Sequence, residues 1–377
     1  MNEELTIHQK SRTKNLHAPL FISFEHWVPI LGRVTNWKKV ILKVQPILEE
    51  ILKKVYTQLQ GECCMRIADI GCSSGPNTFL VISEIIETLR AFSDQSQYCK
   101  ASELQIYLND LPENDFNAIF KLLPSFYKKL KKDYEEKGED EATGPANCFI
   151  MGVPGSFYCR LFPSNNLHFV HSSYSLHWLS QVPKNLQNPR NIYISKTGPS
   201  TVFEAYLKQF QDDFSTFLRC RSMEMVVGGG MILTFVCRSG EDPTCGDSCT
   251  VWDLLTKSLL DLVSEGLIQE KDVDSFNIPI YVPYKDEVKA AIEKEESFNL
   301  ETLDVFERNS DPKEDEDMQK SGKNIASDIR AITEPMLASH FGDLFDLYEK
   351  FAKHLAEHLC HQKAITITTL VVSLLKK

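Results

Sequence analysis

Two acids and a pair of glycines form the clearest chemical pattern in this chain. Asp69-Ile70-Gly71-Cys72-Ser73-Ser74-Gly75-Pro76-Asn77 sets an acid before a turn whose glycines stand four residues apart. Without a Cβ at Gly71 or Gly75, backbone can approach a ligand closely. The dinucleotide fingerprint has a different glycine spacing and does not match. An acid just ahead of such a turn suits a sulfonium nucleoside: Asp69 can pair, directly or through water, with the amino-acid ammonium of S-adenosylmethionine (SAM). Asp110 closes the next apolar run, where an acid can accept both ribose hydroxyls. Taken alone, the glycines could be no more than a tight strand–helix connection. The order strand, turn, helix, strand, acid favours the cofactor.

These residues need a scaffold, and apolar spacing supplies one. Cys64 to Gly71 reads as a buried strand, and Phe79, Ile82, Ile85, Ile86 and Leu89 recur at helical spacing after the turn. A helix is expected from Lys38, a second strand over Leu104–Asp110 and a second helix over Phe116–Leu130. Lys131 to Ala142 reads as a solvated loop, and Cys148–Val153 and Leu167–His171 as strands. Phe203–Met223 is expected to be helical and closed by Gly228-Gly229-Gly230, with a strand from Met231 to Cys237. Alternation of this kind predicts an α/β fold with a mostly parallel, doubly wound sheet. Further on, Val251–Leu267 and residues 286–294 read as helices and Asn299–Phe306 as a strand. Ser310–Ser321 reads as a mobile loop, and Ile325–Leu359 as helix broken near Pro335 and Gly342. Ile365–Val372 is β-branched and strand-like. A last strand returning to the sheet makes the helical segments, mainly 250–295 and 322–360, a cap inserted into a single domain over 38–377. Residues 1–37 form an atypical leading segment.

Composition narrows the partners. The 377 residues carry 52 acidic and 41 basic side chains, a net charge of −11. Nucleic-acid and anionic-membrane partners are disfavoured, because both select basic faces. No apolar run approaches the ~20 residues that span a bilayer. Acidic Met1-Asn2-Glu3-Glu4 and the interruption of Leu20–Phe24 by Glu25 and His26 do not fit a signal peptide. Eleven cysteines are few and odd in number, which points to free thiols in a reducing, cytoplasmic compartment. Cys245 and Cys249 lack a second pair at zinc spacing, so their segment reads as a surface loop. A homodimer is compatible with this reading.

Five ordered motifs resemble the SABATH family of plant SAM-dependent methyltransferases. They are the Asp69–Thr78 turn, Leu108–Asn117, Val153–Tyr158, Leu167–Ser180 and Asp274–Pro279; Glu334–Leu337 and Phe341-Gly342 also fit. The resemblance implies a class I methyltransferase sheet. It implies methylation of small carboxylic acids such as salicylate, benzoate and jasmonate, or of xanthine nitrogens in one branch. It places Cys72 and Asn77 on the cofactor, Asp110 and Leu111 at the ribose, and Ser156 and Phe157 around the adenine. Tyr174, His177 and Trp178 would face the substrate, and Asn188, Asp274, Phe276 and Asn277 would hold Mg2+.

Methyl transfer from a sulfonium is an in-line displacement. A carboxylate, ionised at pH 7, needs no general base, only aiming. The Trp178 indole N–H is a donor without acceptor function, suited to hold one oxygen, and His177 can do the same. A xanthine nitrogen would have to lose a proton, which would make His177 a candidate base. Outside the family, Trp178 could be a core aromatic, and His168 and His171 read as structural. The N-terminus departs from the family's Ser-Tyr-Ala-x-Asn-Ser lid. Its nearest match, Ser11-Arg12-Thr13-Lys14-Asn15-Leu16, has Arg12 at the tyrosine position and no glutamine at the expected distance. Arg12 would set a positive charge near a cationic sulfonium. About twenty further residues, His17–Trp37, look surplus to the family. They allow a misjoined or retained gene segment, or a weak or inactive ligand-binding protein, beside the leading reading of a carboxyl methyltransferase.

Overall fold

The computed structural model describes residues 33–59, 63–95, 103–136, 147–244, 246–309, 317–344, 346–362 and 364–377. Ser11–Leu16, residues 17–32, Cys245 and residues 310–316 lie outside the described residues.

In chain order the elements are α1 (Arg33–Gln58), β1 (Cys64–Ile70), α2 (Asn77–Gln95), β2 (Glu103–Asp110), α3 (Phe116–Glu136), β3 (Cys148–Pro154) and β4 (Leu167–Ser173). They continue with α4 (Ser200–Glu224), β5 (Met225–Val236), α5 (Asp247–Ser264), α6 (Glu270–Ser275) and α7 (Lys285–Glu295). The chain closes with β6 (Phe298–Asn309), α8 (Met318–Phe341), α9 (Leu347–Gln362) and β7 (Thr366–Lys376). One seven-stranded sheet runs β3-β2-β1-β4-β5-β7-β6. Strands β1 to β5 pair in parallel, while β7 lies antiparallel between β5 and β6. Nearly every residue of β4 is buried, as a parallel strand covered on both faces requires. Strand order reverses between β1 and β4, which opens a crevice at their carboxyl ends.

Several sequence expectations are corrected. The three glycines do not close α4 but lie inside β5, which starts at Met225. Helix α1 crosses this stretch closely: a Cβ on Gly230 would fall 2.6 Å from Val55 Cγ2. Gly228 also has φ +77°, and the β4–β5 register shifts between Leu167 and Phe169. The solvated loop expected from Lys131 is helical to Glu136, built from good helix formers and an exposed Lys131–Glu135 pair one turn apart. The loop expected to end at Ser321 ends earlier, because Asp317 caps α8 by accepting from the Gln319 N–H at 2.9 Å. Pro335 does not break α8. It sits on the exposed face, where the carbonyl it leaves without a donor can meet water, and the helix instead ends at Gly342, φ +79°. Helix α1 reaches back to Arg33, so residues 33–37 of the surplus segment belong to it.

Helices α5, α8 and α9 occupy the stretches expected to form the cap. Leu347, Phe351, Leu355 and Leu359 form the buried stripe of α9. His354 and Asp261 join α9 to α5 at 2.7 Å. Among the described residues, no helix is long and apolar enough to cross a membrane.

Candidate active site

The turn after β1 is built around one carbonyl. The N–H groups of Gly71 and Cys72 both donate to the Asn109 carbonyl, at 2.8 and 2.9 Å. Gly71 adopts φ +74°, and a Cβ there would fall 2.2 Å from Ser175 Oγ. Ser73 follows at φ +63°, a left-handed conformation that is strained for a residue with a side chain.

Both acids are buried at this turn. Asp110 Oδ2 accepts from the Ser73 N–H and Oδ1 from the Leu111 N–H, each at 2.8 Å. Burial nevertheless pushes its carboxyl up to about 6, against the pull of those two bonds. Asp69 Oδ1 lies 2.7 Å from His171 Nδ1, and its Oδ2 accepts from Thr78 Oγ1 at 2.8 Å. Each oxygen retains a lone pair, so Asp69 can still take an ammonium. His171 sits opposite Asp69 in the β1–β4 register, so it positions this acid and does more than fill the core. Sequence reading missed that role, since one strand alone does not disclose its register.

The loop after β3 completes the rim. Asn109 Nδ2 donates to the Val153 and Gly155 carbonyls, and the Gly155 N–H donates to the Asp110 carbonyl at 2.8 Å. Ser156 and Phe157 are thereby carried next to Asp110. Four buried oxygens in this region, Ser73 Oγ, Ser74 Oγ, Asn109 Oδ1 and Asn114 Oδ1, have no protein hydrogen-bond partner. Buried polar groups demand partners, and ribose hydroxyls and an ammonium are suitable ones. Asn77 opens α2 as a buried residue, and buried Cys72 has its thiol pushed well up by desolvation. The residues expected at the cofactor therefore converge on one crevice and fit SAM.

Tyr174, His177 and Trp178 follow β4. Tyr174 is fully buried at φ +54°, with its hydroxyl 2.9 Å from Thr369 Oγ1 on β7. Burial holds that phenol neutral, pushed up to about 12. His177 is also fully buried, and desolvation lowers its imidazole to about 3. Its ring centroid lies 6.3 Å from that of Trp178. The backbone here is held from two sides. Tyr281 N–H donates to the His177 carbonyl and Leu179 N–H to the Pro279 carbonyl, both at 2.8 Å. Tyr158 Oη donates to the Trp178 carbonyl at 2.5 Å.

Of the residues expected at Mg2+, Asn188 and Asn277 meet, Asp274 is bonded two residues along from Asn188, and the Phe276 ring packs against His340 and Phe341. Asn188 Nδ2 donates to Asn277 Oδ1 at 2.9 Å, and Asp274 Oδ1 accepts from the Arg190 N–H at 2.7 Å. Asn188 Oδ1 is buried without a protein partner. Among the described residues no cluster of three His, Cys, Asp or Glu could hold a metal. The donor set is instead one carboxylate with amide and backbone carbonyl oxygens, which suits a hard cation.

The pattern for the SAM dependent carboxyl methyltransferases matches residues 35–377. The chain belongs to that family. It is 46% identical over 360 residues to "Probable jasmonic acid carboxyl methyltransferase 2" of Theobroma cacao, covering 91% of this chain and 94% of that one. It is 44% identical over 345 residues to "Salicylate/benzoate carboxyl methyltransferase" of Arabidopsis thaliana, covering 90% and 88%. A loganic acid methyltransferase solved with SAH superposes with a TM-score of 0.76 at 32% identity, covering 93% of this chain and 97% of that one. The protein is a SAM-dependent methyltransferase of the class I fold. The family match begins within α1, so residues 35–37 belong to the shared domain.

Proposed function

We propose that this carboxyl methyltransferase makes methyl esters of small aromatic or plant-hormone acids of the salicylate and benzoate type. The observation that carries this reading is the neutrality of its substrate wall. His177, lowered to about 3, is far too weak a base to deprotonate a xanthine nitrogen. Tyr174, raised to about 12, stays protonated. A nucleophile that is already ionised, as a carboxylate is, needs no base from these residues.

Bound SAM supplies an electrophilic methyl. The chain's own residues do the rest. Asp110, with its two backbone bonds, accepts the ribose hydroxyls, and Leu111 packs beside them. Asp69 takes the ammonium, while Gly71, Cys72 and Asn77 line the turn. Ser156 and Phe157 wall the adenine. Trp178 and His177 each offer an N–H to one carboxylate oxygen and leave the other free to attack in line. The buried aromatics exclude water that would otherwise solvate that oxygen.

Mg2+, held by Asn188, Asp274, Asn277 and the Phe276 carbonyl, is part of this proposal. The unpartnered Asn188 Oδ1 supports it. The same loop continues into Pro279–Tyr281, which is bonded to His177 and Leu179, so such an ion would stiffen the wall rather than touch the methyl. A cytoplasmic location fits the thiol state of the nine described cysteines. A homodimer completes the reading, and light scattering tests it.

A second reading, a SAM-binding protein without turnover, is motivated by Arg12 in place of the lid tyrosine. Assaying product formation on a panel of acids and methylxanthines, with calorimetric titration of SAM, separates the readings. Ester formation on an aromatic acid supports the proposal. Tight SAM binding with no turnover on the whole panel overturns it in favour of the second reading.

A further inference from the structure

A fully buried ion pair is formed by two residues that carry no assigned part in the reaction. Arg221 Nε and Glu224 Oε2, both on α4, meet at 2.8 Å with no exposure to solvent. Taking two charges out of water costs several kcal/mol per ion unless further bonds compensate, so this arrangement calls for a purpose.

Its remaining bonds all go to one loop. Arg221 donates from Nη1 to the Phe157 carbonyl at 3.0 Å and from Nη2 to the Cys159 carbonyl at 2.9 Å. Glu224 Oε1 accepts from the N–H of Leu161 at 2.6 Å and of Phe162 at 3.1 Å. The two side chains thus grip four backbone groups between Phe157 and Phe162. The Phe157 ring is further held edge-on to Phe217, at 6.3 Å, and the Arg221 guanidinium lies 5.2 Å over Phe217. The next residue, Tyr158, carries the hydroxyl bonded to the Trp178 carbonyl. One backbone segment therefore bears the expected adenine wall on Phe157 and, one residue on, a strut to the substrate-facing Trp178.

We propose that Arg221 and Glu224 are positioning residues that fix the 157–162 loop and thereby couple the cofactor and substrate subsites. The proposal rests on the placement of adenine at Ser156 and Phe157. A guanidinium is required, because its planar fork reaches Glu224 and two carbonyls together, whereas a lysine ammonium is a point charge on a flexible stem. If the loop is released, Phe157 loses its aim at the cofactor and Tyr158 its purchase on Trp178.

The test uses the full chain and the variants Arg221→Lys, Glu224→Gln, Tyr158→Phe and Phe157→Ala, with amide hydrogen exchange read by mass spectrometry. Arg221→Lys should speed exchange at Leu161 and Phe162 at least tenfold while β4 is unchanged. It should weaken SAM binding at least fivefold and raise KM for the acid at least threefold, with a smaller fall in kcat. Tyr158→Phe should raise only KM for the acid and leave SAM affinity within twofold. If Arg221→Lys does not fold, the near-isosteric Glu224→Gln should show the same joint shift. Unchanged exchange at Leu161 and Phe162 overturns the clamp. Fast exchange with SAM affinity and KM both within twofold overturns the coupling. Phe157→Ala reports separately on the underlying placement: SAM affinity within twofold of wild type there overturns the adenine site, whatever the exchange result.

Discussion

Asp110 should make SAM affinity and the stability of the ligand-free protein respond to pH in opposite directions. Its carboxyl titrates near 6 instead of 3.8, because burial outweighs the bonds from Ser73 and Leu111. A group whose pKa is higher folded than unfolded favours the folded state when protonated. That stability is fully present below 3.8 and is lost as pH rises through 6. By pH 8 the ionised carboxylate should cost the empty protein roughly 3 kcal/mol relative to acid. Affinity runs the other way. Ribose hydroxyls are donors and bind the carboxylate, so at pH 5, where about a tenth of the empty sites are ionised, apparent affinity should be about tenfold weaker than at pH 8. Asp110→Asn removes both effects. Two charge-assisted bonds at about 1.5 kcal/mol or more each predict a loss of affinity of 10²-fold or greater, without pH dependence from this site. Calorimetric titration of SAM and thermal unfolding, each from pH 5 to 8 on both proteins, give the difference that isolates this carboxyl from other titrating groups. Wild-type affinity that stays flat over that range, or an Asp110→Asn variant that binds SAM as tightly as wild type, would refute the reasoning.

Trp178→Ala should abolish ester formation while leaving SAM affinity within about twofold, read by product analysis beside calorimetry; retained activity would overturn its role at the substrate. Gly71→Ala combines a left-handed φ with a Cβ 2.2 Å from Ser175 Oγ, and should cost about 2–5 kcal/mol, measured by denaturant unfolding. Because His177 titrates near 3, the rate at saturating SAM and acid should show no histidine inflection between pH 5.5 and 8.5; a step near 6.5 that vanishes in His177→Gln would contradict this. Removing divalent ions should raise KM for the acid in wild type but not in Asn188→Ala, and equal sensitivity in both would displace Mg2+ from that site.

Much of this architecture is legible in the sequence because parallel strands, covered on both faces, are mostly apolar and are bounded by turn residues. Cys64–Gly71 and Leu167–His171 are short enough, and apolar at enough positions, to read as strands despite Arg66, Asp69, His168 and His171, and the acid-glycine turn then follows from order. Other features are hidden for definite physical reasons. The first half of β5 runs through three glycines, which carry no pattern, and α1 lies against two of them, Gly228 and Gly230. Pro335 reads as a break only if its face is ignored, since an exposed proline leaves its orphaned carbonyl to water. Arg221 and Glu224, spaced like a surface pair one turn apart on a helix, give no sign of being the most deeply buried charges of α4. Asp69 is legible as an acid at a turn; its partner His171, on a distant strand, is fixed only by register.

The neutrality of the substrate wall follows from the charge change in the reaction. A carboxylate and a sulfonium enter as opposite charges and leave as a neutral ester and a neutral thioether. Charge is therefore consumed along the coordinate, and a low-dielectric wall disfavours the separated ions more than the transition state. A lysine or arginine set against the carboxylate would bind the ground state more strongly than the transition state and slow the transfer. Neutral N–H donors can aim an oxygen without quenching it. On the proposed assignment the wall holds a tryptophan, a tyrosine raised to about 12 and a histidine lowered to about 3, all buried. The buried cation of α4, Arg221, spends its donors on Glu224 and on backbone carbonyls, where it can orient the loop and leave the carboxylate alone.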